Sequence, residues 1–267
     1  MDVSTAPGMR IIACCNHKGG VGKTTCTVNL AAGLSRSGWR VLAVDADPQA
    51  HLTASLGLAA APEEGLSGLL DGRCGLAAAL IRDDGLDVLP ASAALAETET
   101  RLAAAGAPIG LLADSLRSSV GHDAVLIDCP PHLGQLARQA LYAATDILIP
   151  MTPDFLAMQS LAWLMDTLAE LAASGDAPAV AGVVLNRYSA QKRLHREVKT
   201  LVESHFPGMA LTAVIRENVA LAEAPSFGQD IFRYAPRSAG AADFAALAVE
   251  TAARLRLPRP AAAGGNP

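Results

Sequence analysis

The sequence predicts an α/β fold in which a mostly parallel, twisted β-sheet is flanked by helices. Apolar runs of strand length alternate with helical stretches along the chain, which is the pattern of a parallel sheet covered by helices. The runs are continuously apolar, as suits strands buried on both faces. Hydrophobic residues make up 51% of the chain and charged residues 18%, which excludes a largely disordered protein. At 267 residues the chain can form one large domain of this kind.

The order of these elements can be read along the chain. Strands are expected at Arg10–Cys15, Arg40–Asp45, Leu86–Pro90, Asp123–Asp128, Asp146–Met151, Ala179–Asn186 and Leu211–Ile215. Helices are expected between them, at about 24–37, 91–104, 108–119, 132–143, 154–173, 190–205 and 239–256. The alanine-rich segment 59–105 otherwise gives no clear pattern, because alanine fits helices, cores and loops equally. We expect a single domain over 9–257, between disordered tails at 1–8 and 258–267 that lack periodicity.

Charge and cysteine content limit the classes of function. The net charge of −5 and the pI of about 5.7 exclude a protein coated with basic surface, so contact with nucleic acid would need a local patch. The five cysteines show no CxxC pair and no Cys/His ligand spacing, which predicts free thiols in a reducing cytosol. The sequence has no run of 18 uncharged apolar residues, and residues 1–9 lack the basic start of a signal peptide. We therefore expect a cytoplasmic protein.

A glycine-rich loop, NHKGGVGKTT at 16–25, follows the first predicted strand and opens an apolar helix. Its glycines let the backbone turn tightly, so that successive N–H groups point at phosphate oxygens. Lys23 places a positive charge beside the β and γ phosphates, and Thr24 offers a hydroxyl group to Mg²⁺ at the helix N-terminus. Because strand, loop, Lys-Thr-Thr and helix occur in the required order, a phosphate-binding loop is favoured over a simple glycine-rich turn.

Acidic residues end two of the predicted strands. Asp128 ends an apolar strand at a point where a carboxylate can hold a Mg²⁺-bound water near the phosphates. The alternative for Asp128 is that it caps a strand-to-loop turn. Asp45 and Asp47 end another strand, at the carboxyl edge where parallel sheets bind ligands. A purely structural role in the turn remains the alternative for Asp45.

Three motifs occur in a fixed order: KGGVGKTT at 18–25, VDADPQ at 44–49 and VLIDCPP at 125–131. Together they resemble the deviant Walker-A family of P-loop ATPases, which includes the partition ATPases ParA and Soj, the division-site ATPase MinD and the nitrogenase iron protein. The resemblance covers nearly all of 10–250. It implies a P-loop fold of the deviant Walker-A type with ATP and Mg²⁺ as cofactors. It also implies a homodimer in which Lys18 reaches across to the partner's nucleotide.

The resemblance also implies roles for single residues. Asp47 would orient or activate the attacking water. Asn186 would recognise the adenine edge, since an amide offers both a donor and an acceptor, and a buried asparagine that satisfies loop backbone is the alternative. The residues implied to bind ATP are Lys18, Gly19, Gly20, Val21, Gly22, Lys23, Thr24, Thr25 and Asn186. Those implied to act in catalysis are Lys18, Lys23 and Asp47, and those implied to hold the metal are Thr24, Asp45 and Asp128.

The segment 214–244, which contains LAEAPS and a later S-x-G-A, resembles the C-terminal block of Soj-type proteins. The cysteines do not lie where the iron protein has its cluster ligands, and the chain ends without the basic amphipathic helix of MinD, so no membrane contact is expected. The resemblance therefore implies a weak ATP hydrolase for chromosome or plasmid partition, stimulated by a ParB-like partner. The alternatives are a ParA-like ATPase that positions a protein cargo through an adaptor, a MinD-like membrane regulator, and a metabolic ATPase such as an amidoligase.

A local basic patch follows the strand that ends near Asn186. Its cations lie close together in a chain that is acidic overall, which predicts non-specific and salt-sensitive contact with the DNA backbone. The residues predicted to contact DNA are Arg187, Lys192, Arg193, Arg196, Lys199 and Arg216. A solvated helix face is the alternative. The resemblance implies that the protein associates with the nucleoid through such contacts.

Overall fold

The computed structural model describes residues 8–61, 64–117, 121–173 and 177–258. Its strands are β1 (Arg10–Cys14), β2 (Val41–Asp45), β3 (Ile81–Asp83), β4 (Leu86–Leu89), β5 (Ala124–Asp128), β6 (Asp146–Met151), β7 (Ala179–Tyr188) and β8 (Ile215–Arg216). They form an eight-stranded sheet in the order β3-β4-β2-β5-β1-β6-β7-β8. Every neighbouring pair is parallel except β3 with β4, which form an antiparallel hairpin at one edge. The predicted α/β class is confirmed.

Helices cover both faces of the sheet. They are α1 (Lys23–Arg36), α2 (His51–Ser55), α3 (Gly65–Leu70), α4 (Leu76–Ala79), α5 (Ala94–Ala104), α6 (Leu111–Arg117), α7 (Gln135–Ala143), α8 (Ala157–Ala173), α9 (Arg193–His205), α10 (Val219–Glu223), α11 (Ile231–Tyr234) and α12 (Ala239–Arg254), with a 3-10 helix at Ala224–Phe227. Because side chains alternate along a strand, β1 contributes to two cores. Ile11 and Ala13 pack in the core with α3 to α9, whereas Ile12 and Cys14 pack in the core with α1, α2 and α10 to α12.

The register of the sheet brings the carboxyl ends of three strands level. Asp128 at the end of β5 is paired with Cys14 at the end of β1 and with Asp45 at the end of β2. The loop that follows Cys14 leads into α1 at the same edge. Since ligands of parallel sheets bind outside the carboxyl ends of the strands, this edge is where the functional side chains are expected to meet.

The structure differs from the predicted elements in several places, and it adds the short helices α2, α10 and α11 and the 3-10 helix, which were not predicted. The strand expected over Leu211–Ile215 is wrong, because β8 covers only Ile215–Arg216. Leu211 instead donates its backbone N–H to the carbonyl of Val183, beside a single isolated bridge, so pairing there is too short to form a strand. In the segment 59–105 the predicted strand at Leu86–Pro90 is confirmed as β4, whereas β3, which forms a hairpin with it, and the short helices α3 and α4 were not predicted.

The ends of the domain are only partly described. The disordered tails predicted at 1–8 and 258–267 lie outside the described residues except for Gly8 and Pro258. The last predicted helix is α12, which begins after Ser238, whose hydroxyl oxygen accepts the Ala241 N–H. Within the described part of the chain, no helix is both long enough and apolar enough to cross a membrane.

Candidate nucleotide site

The backbone of the glycine-rich loop needs glycine at Gly20 and Gly22. Their φ angles are +75° and +89°, in the left-handed region that other residues adopt only with strain. A Cβ on Gly22 would also lie 2.0 Å from the Asn186 side-chain nitrogen. Gly22 directly precedes α1, and no side chain caps the N–H groups of the first turn of that helix. These groups therefore remain available to a phosphate.

Lys23 lies at the centre of this loop. It is only 8% exposed, and its ammonium group donates a hydrogen bond of 3.3 Å to the backbone carbonyl of Lys18. The Lys23 side chain thus folds back over the glycine-rich loop, whose backbone N–H groups are available to a phosphate. This position gives the loop a fixed positive charge, which is what binding of the β and γ phosphates requires.

Thr24 and Asp128 meet at the carboxyl edge of the sheet. The Thr24 hydroxyl donates a hydrogen bond of 2.6 Å to Asp128, which is only 1% exposed. Burial, and next the charge of Asp45, raise the pKa of Asp128 well above its usual range. A buried carboxylate and an adjacent hydroxyl group are oxygen ligands of the kind that Mg²⁺ binds, and the cation would offset the buried negative charge. Thr24 and Asp128 therefore fit the predicted metal site.

Asp45 differs from Asp128 in its hydrogen-bond partners, which belong to Thr53 of α2. It is fully buried, and one of its oxygens accepts hydrogen bonds from the Thr53 backbone N–H at 2.8 Å and the Thr53 hydroxyl at 2.7 Å. Burial is the main reason that the pKa of Asp45 rises to about 6, and the Thr53 hydrogen bonds oppose this rise. These contacts match the structural alternative for Asp45, so its role as a metal ligand stays a prediction.

Asp47 lies beside Asp45 in the connection to α2. It is 8% exposed, and its carboxylate accepts the Gln49 backbone N–H at 2.9 Å. Ala50, which directly precedes α2, has a φ of +53°, an uncommon value for a residue with a Cβ. A short turn under strain therefore holds Asp47, which lies close enough to raise the pKa of Asp45 further.

The start of the loop is tied to the connection between β6 and α8. Lys18 forms an ion pair with Asp154, and the ring of His17 packs against Trp163 at a centroid distance of 4.0 Å. The buried side chain of Asn16 accepts hydrogen bonds from the Lys18 N–H at 3.0 Å and the Ser160 hydroxyl at 2.9 Å. Sequence reasoning did not identify Asn16, Asp154, Ser160 or Trp163. The only signal for Asn16 was a polar residue at the end of a buried strand.

Asn186 contacts the loop from the end of β7. Its side-chain nitrogen donates a hydrogen bond of 2.8 Å to the Val21 carbonyl, and its side-chain oxygen accepts the Arg187 N–H at 3.0 Å. The residue is only 4% exposed. These bonds correspond to the alternative in which a buried asparagine satisfies loop backbone, and recognition of adenine stays a prediction.

A cavity of about 420 Å³ opens between the loop and the start of α9. Its lining residues are Lys18, Gly19, Gly20, Thr152, Pro153, Asp154, Arg187, Lys192, His195 and Glu217. Two of the cations predicted to contact DNA, Arg187 and Lys192, therefore lie beside the phosphate loop. The remaining predicted DNA contacts lie on α9 and β8.

Acidic neighbours partly neutralise the basic patch. Four of its cations lie within 4 Å of a carboxylate, in the pairs Lys192–Glu217, Arg193–Glu197, Lys199–Glu203 and Arg216–Asp243. The guanidinium group of Arg196 donates to the backbone carbonyls of Ala190 and Gln191. Helix α9 begins at Arg193 rather than at 190, so Lys192 directly precedes the helix instead of lying within it. The patch is less positive than the sequence implied, and contact with DNA stays a prediction.

The cysteines agree with the sequence analysis. Cys14, Cys15, Cys26 and Cys129 are buried and unbridged, and Cys74 is also unbridged. Burial is the largest cause that raises the pKa of Cys26 to about 12, so this thiol is not reactive at neutral pH. Over the described residues, no group of three or more His, Cys, Asp or Glu side chains is arranged to hold a metal ion.

Known proteins resemble this chain over most of its length. A family model described as an AAA domain matches residues 9–177. The chain is 41% identical over 249 residues to the chromosome-partitioning ATPase Soj of Thermus thermophilus, with 93% of this chain and 97% of that protein covered. It is 36% identical over 259 residues to the chromosome partitioning protein ParA of Caulobacter vibrioides, with 94% and 97% covered.

A solved structure agrees with these relatives. The cell division ATPase MinD of Pyrococcus furiosus has a TM-score of 0.74 and 31% identity, with 90% of this chain and 97% of that chain covered. The phosphate loop with its additional lysine, Lys18, is thus found in a chain whose sequence matches Soj and ParA nearly from end to end. The chain belongs to the ParA/Soj family of deviant Walker-A P-loop ATPases.

Proposed function

We propose that the chain is a ParA/Soj-like ATPase that forms an ATP-dependent sandwich dimer, binds DNA non-specifically and drives chromosome or plasmid partition. A ParB-like partner stimulates its weak hydrolysis, and the protein acts in the cytoplasm on the nucleoid as a single domain over 9–257. The observation that carries the proposal is the glycine-rich loop facing the Thr24–Asp128 pair, in a chain 41% identical to a chromosome-partitioning ATPase.

The loop residues bind and orient the nucleotide. The left-handed glycines turn the backbone N–H groups and the start of α1 toward the phosphates, and Lys23 neutralises the β and γ phosphates. Thr24 and Asp128 would hold Mg²⁺, whose positive charge would offset the negative charge of the phosphate oxygens. Asn186 keeps the loop in this shape through its bond to the Val21 carbonyl.

Hydrolysis and dimer closure use residues at the rim of the loop. Asp47 accepts a proton from the attacking water or orients that water. Because its carboxylate is already held in a turn by the Gln49 N–H, Asp47 loses little conformational freedom when it does so. Lys18 leaves Asp154 and reaches the partner subunit's nucleotide, where its charge stabilises the leaving phosphate as an arginine finger does. Closure of two subunits thus depends on the nucleotide, which is the basis of the switch.

The cations on and beside α9 contact the DNA backbone. Carboxylates partly neutralise the basic patch in one subunit, so binding is weak until a dimer presents two patches on one duplex. Nucleotide-dependent dimer formation would therefore also control DNA binding.

The proposal is tested by binding to arbitrary duplex DNA. Purified protein should retard two unrelated duplexes equally when ATP and Mg²⁺ are present, and should not retard them with ADP. Lys23→Ala serves as the control, because loss of the β/γ charge should remove ATP binding and DNA binding together. If the wild type binds no DNA under any nucleotide condition, the partition role is wrong and a membrane or metabolic function gains support.

A further inference from the structure

The hydroxyl group of Thr53 lies in a buried hydrogen-bond network at the carboxyl edge of the sheet. It donates to Asp45 at 2.7 Å and accepts the backbone N–H of Ala91, the second residue after β4, at 2.9 Å. Thr53 and Ala91 are both buried. Since the Ala91 N–H can only donate, the hydroxyl oxygen accepts there and its single proton is directed to Asp45. Thr53 therefore joins α2 to the ends of β2 and β4.

Asp45 contacts both ends of the segment 47–53, which carries Asp47 at its start and which we call the Asp47 segment. One carboxylate oxygen of Asp45 accepts the backbone N–H of Asp47 at 3.3 Å. The other oxygen accepts the backbone N–H of Thr53 at 2.8 Å together with the Thr53 hydroxyl. Protein donors thus occupy both lone-pair positions of that second oxygen. The arrangement suits a carboxylate that holds the Asp47 segment in place.

The Asp47 segment contains a backbone conformation that needs such support. Ala50, directly before α2, has a φ of +53°, and a residue with a Cβ keeps a left-handed φ only where the surrounding contacts outweigh the strain. The Ala50 N–H donates to the Asp47 carbonyl at 2.9 Å, so the strained turn and the position of Asp47 are coupled. Attachment of Thr53 at the far end of the segment therefore helps to fix the Asp47 carboxylate.

We infer that Thr53 is a positioning residue for ATP hydrolysis, which holds Asp47 in place through Asp45. This inference rests on the proposed function, in which Asp47 activates or orients the attacking water. A displacement of about 1 Å at a catalytic group can lower a rate by up to about a hundredfold. Both partners of the Thr53 hydroxyl, Asp45 and Ala91, lie outside the phosphate loop. Loss of the hydroxyl group should therefore slow hydrolysis and spare nucleotide binding.

Thr53→Val tests this role, because valine fills nearly the same space without a hydroxyl group. At saturating ATP and Mg²⁺ the rate of hydrolysis should fall about tenfold, while the affinity for a fluorescent ATP analogue should stay within about twofold of the wild type. Thr53→Ser keeps the hydroxyl group and should restore most of the rate. A Thr53→Ser variant as slow as Thr53→Val would contradict a role for the hydroxyl group.

Thr98→Val is the matched control for the loss of a buried hydroxyl group. Thr98 in α5 is fully buried, and its hydroxyl donates to the carboxylate of Asp71 at 3.2 Å and accepts from Arg101 at 2.9 Å. This variant should lower the melting temperature, as Thr53→Val does, and leave the rate of hydrolysis unchanged. If Thr98→Val slows hydrolysis as much as Thr53→Val, reduced stability alone explains the effect and the inference is wrong.

The outcomes separate this inference from the proposed function. If Asp47→Ala hydrolyses ATP like the wild type, Asp47 does not activate water and both proposals fail. If Asp47→Ala slows hydrolysis and Thr53→Val does not, only the positioning role of Thr53 is wrong. If Thr53→Val instead raises the Mg²⁺ concentration for half-maximal hydrolysis about tenfold at an unchanged maximal rate, Thr53 acts through a metal ligand and the inference is overturned.

Discussion

Lys18 and Asp154 form an ion pair within a single chain, between the start of the phosphate loop and the connection from β6 to α8. Burial raises the pKa of Asp154, but the hydrogen bonds from Lys18 and Thr152 and the charge of Lys18 together outweigh this effect, and the pKa is lowered overall. The ion pair therefore holds Lys18 on its own subunit. A lysine that crosses to a partner must first leave this carboxylate.

We expect Asp154→Asn to favour ATP-dependent dimerisation. The variant removes a half-exposed ion pair, which in such positions contributes at most about 1 kcal/mol, so the dimer should strengthen by up to about fivefold. Sedimentation velocity with a non-hydrolysable ATP analogue measures this change. Thr152→Val removes only a hydroxyl group that donates to the same carboxylate and is the control. A weaker dimer in Asp154→Asn would mean that Asp154 binds Lys18 of the partner subunit.

Gly22→Ala should damage the loop through two effects. Its φ of +89° is strained for alanine, and the added Cβ would lie 2.0 Å from the Asn186 side-chain nitrogen. We expect the free energy of unfolding to fall by about 2 kcal/mol and nucleotide affinity to fall at least tenfold. Urea unfolding and titration with a fluorescent ATP analogue would measure both.

Gly19→Ala is the matched control for this loop variant. A Cβ on Gly19 would have no atom within 4 Å, so the free energy of unfolding should stay close to that of the wild type. Asn186→Ala alone loses the bond to the Val21 carbonyl but leaves no side chain for a Cβ on Gly22 to meet. Adding Gly22→Ala to Asn186→Ala should therefore lower the free energy of unfolding by less than Gly22→Ala does in the wild type, and an equal loss in both backgrounds would contradict the close contact.

The central part of the site could be predicted from sequence because its signals are local. The glycines, Lys23 and Thr24 lie in one continuous motif, and Asp128 ends an apolar strand, so parallel strand order alone places them at one edge. The contacts of Asn16 could not be predicted in the same way. These contacts depend on the pairing of β6 with β1, and no local pattern in the sequence predicts that pairing.

Neutralisation of the basic patch was missed for a related reason. The carboxylate that faces Lys192 belongs to Glu217, and the one that faces Arg216 belongs to Asp243, so both pairs depend on the packing of distant segments. Asp45 is a further case, because its hydrogen-bond partner Thr53 lies on a short helix without a clear sequence pattern. Charge counted along a sequence therefore overestimated the positive charge of the surface.

Asp47→Ala should separate nucleotide binding from hydrolysis. Removal of the carboxylate takes away the group proposed to activate water, while the phosphate contacts of the loop and Thr24 remain. We expect hydrolysis to fall at least a hundredfold and the ATP-bound dimer to accumulate on DNA. Light scattering with ATP and a DNA retardation assay would detect this species. A variant that stays monomeric with ATP would argue against this role for Asp47.

Stability should depend on pH through Asp87 in β4. Burial raises the pKa of this carboxyl, but the hydrogen bonds from Arg82 and His122 outweigh it, and the pKa is lowered overall. A carboxylate with a lowered pKa in the folded state stabilises the protein above its pKa in the unfolded state, near 3.9, and this contribution disappears as the pH falls further. Asp87→Asn should therefore lower the free energy of unfolding at pH 7 by about 1 kcal/mol.

The difference between Asp87→Asn and the wild type should shrink as the pH falls below about 4, because both side chains are then neutral. Urea unfolding at a series of pH values measures it. Asp84→Asn is the control in the same hairpin, since asparagine tolerates the left-handed φ of +44° at that position. A constant difference between Asp87→Asn and the wild type over the whole pH range would show that charge is not the cause.

The basic patch is best tested away from the nucleotide cavity. Arg187 and Lys192 line that cavity, so their loss would confuse nucleotide binding with DNA binding. Arg196 and Lys199 lie further along α9 and are absent from its lining. The double variant Arg196→Glu, Lys199→Glu should still dimerise with ATP but no longer retard DNA at moderate salt.

Single variants of the patch should weaken binding to all DNA sequences about equally. Removal of one cation that binds a phosphate should reduce the slope of log K against log salt concentration by roughly one.

Glu197→Gln, which frees Arg193 from its ion pair, should strengthen DNA binding and leave nucleotide affinity unchanged. The control Arg82→Glu reverses a charge that is 80% exposed on the β3–β4 hairpin and should leave DNA binding unchanged. Full ATP-dependent DNA binding by the double variant would make the exposed side of α9 a solvated helix face, with the DNA surface elsewhere.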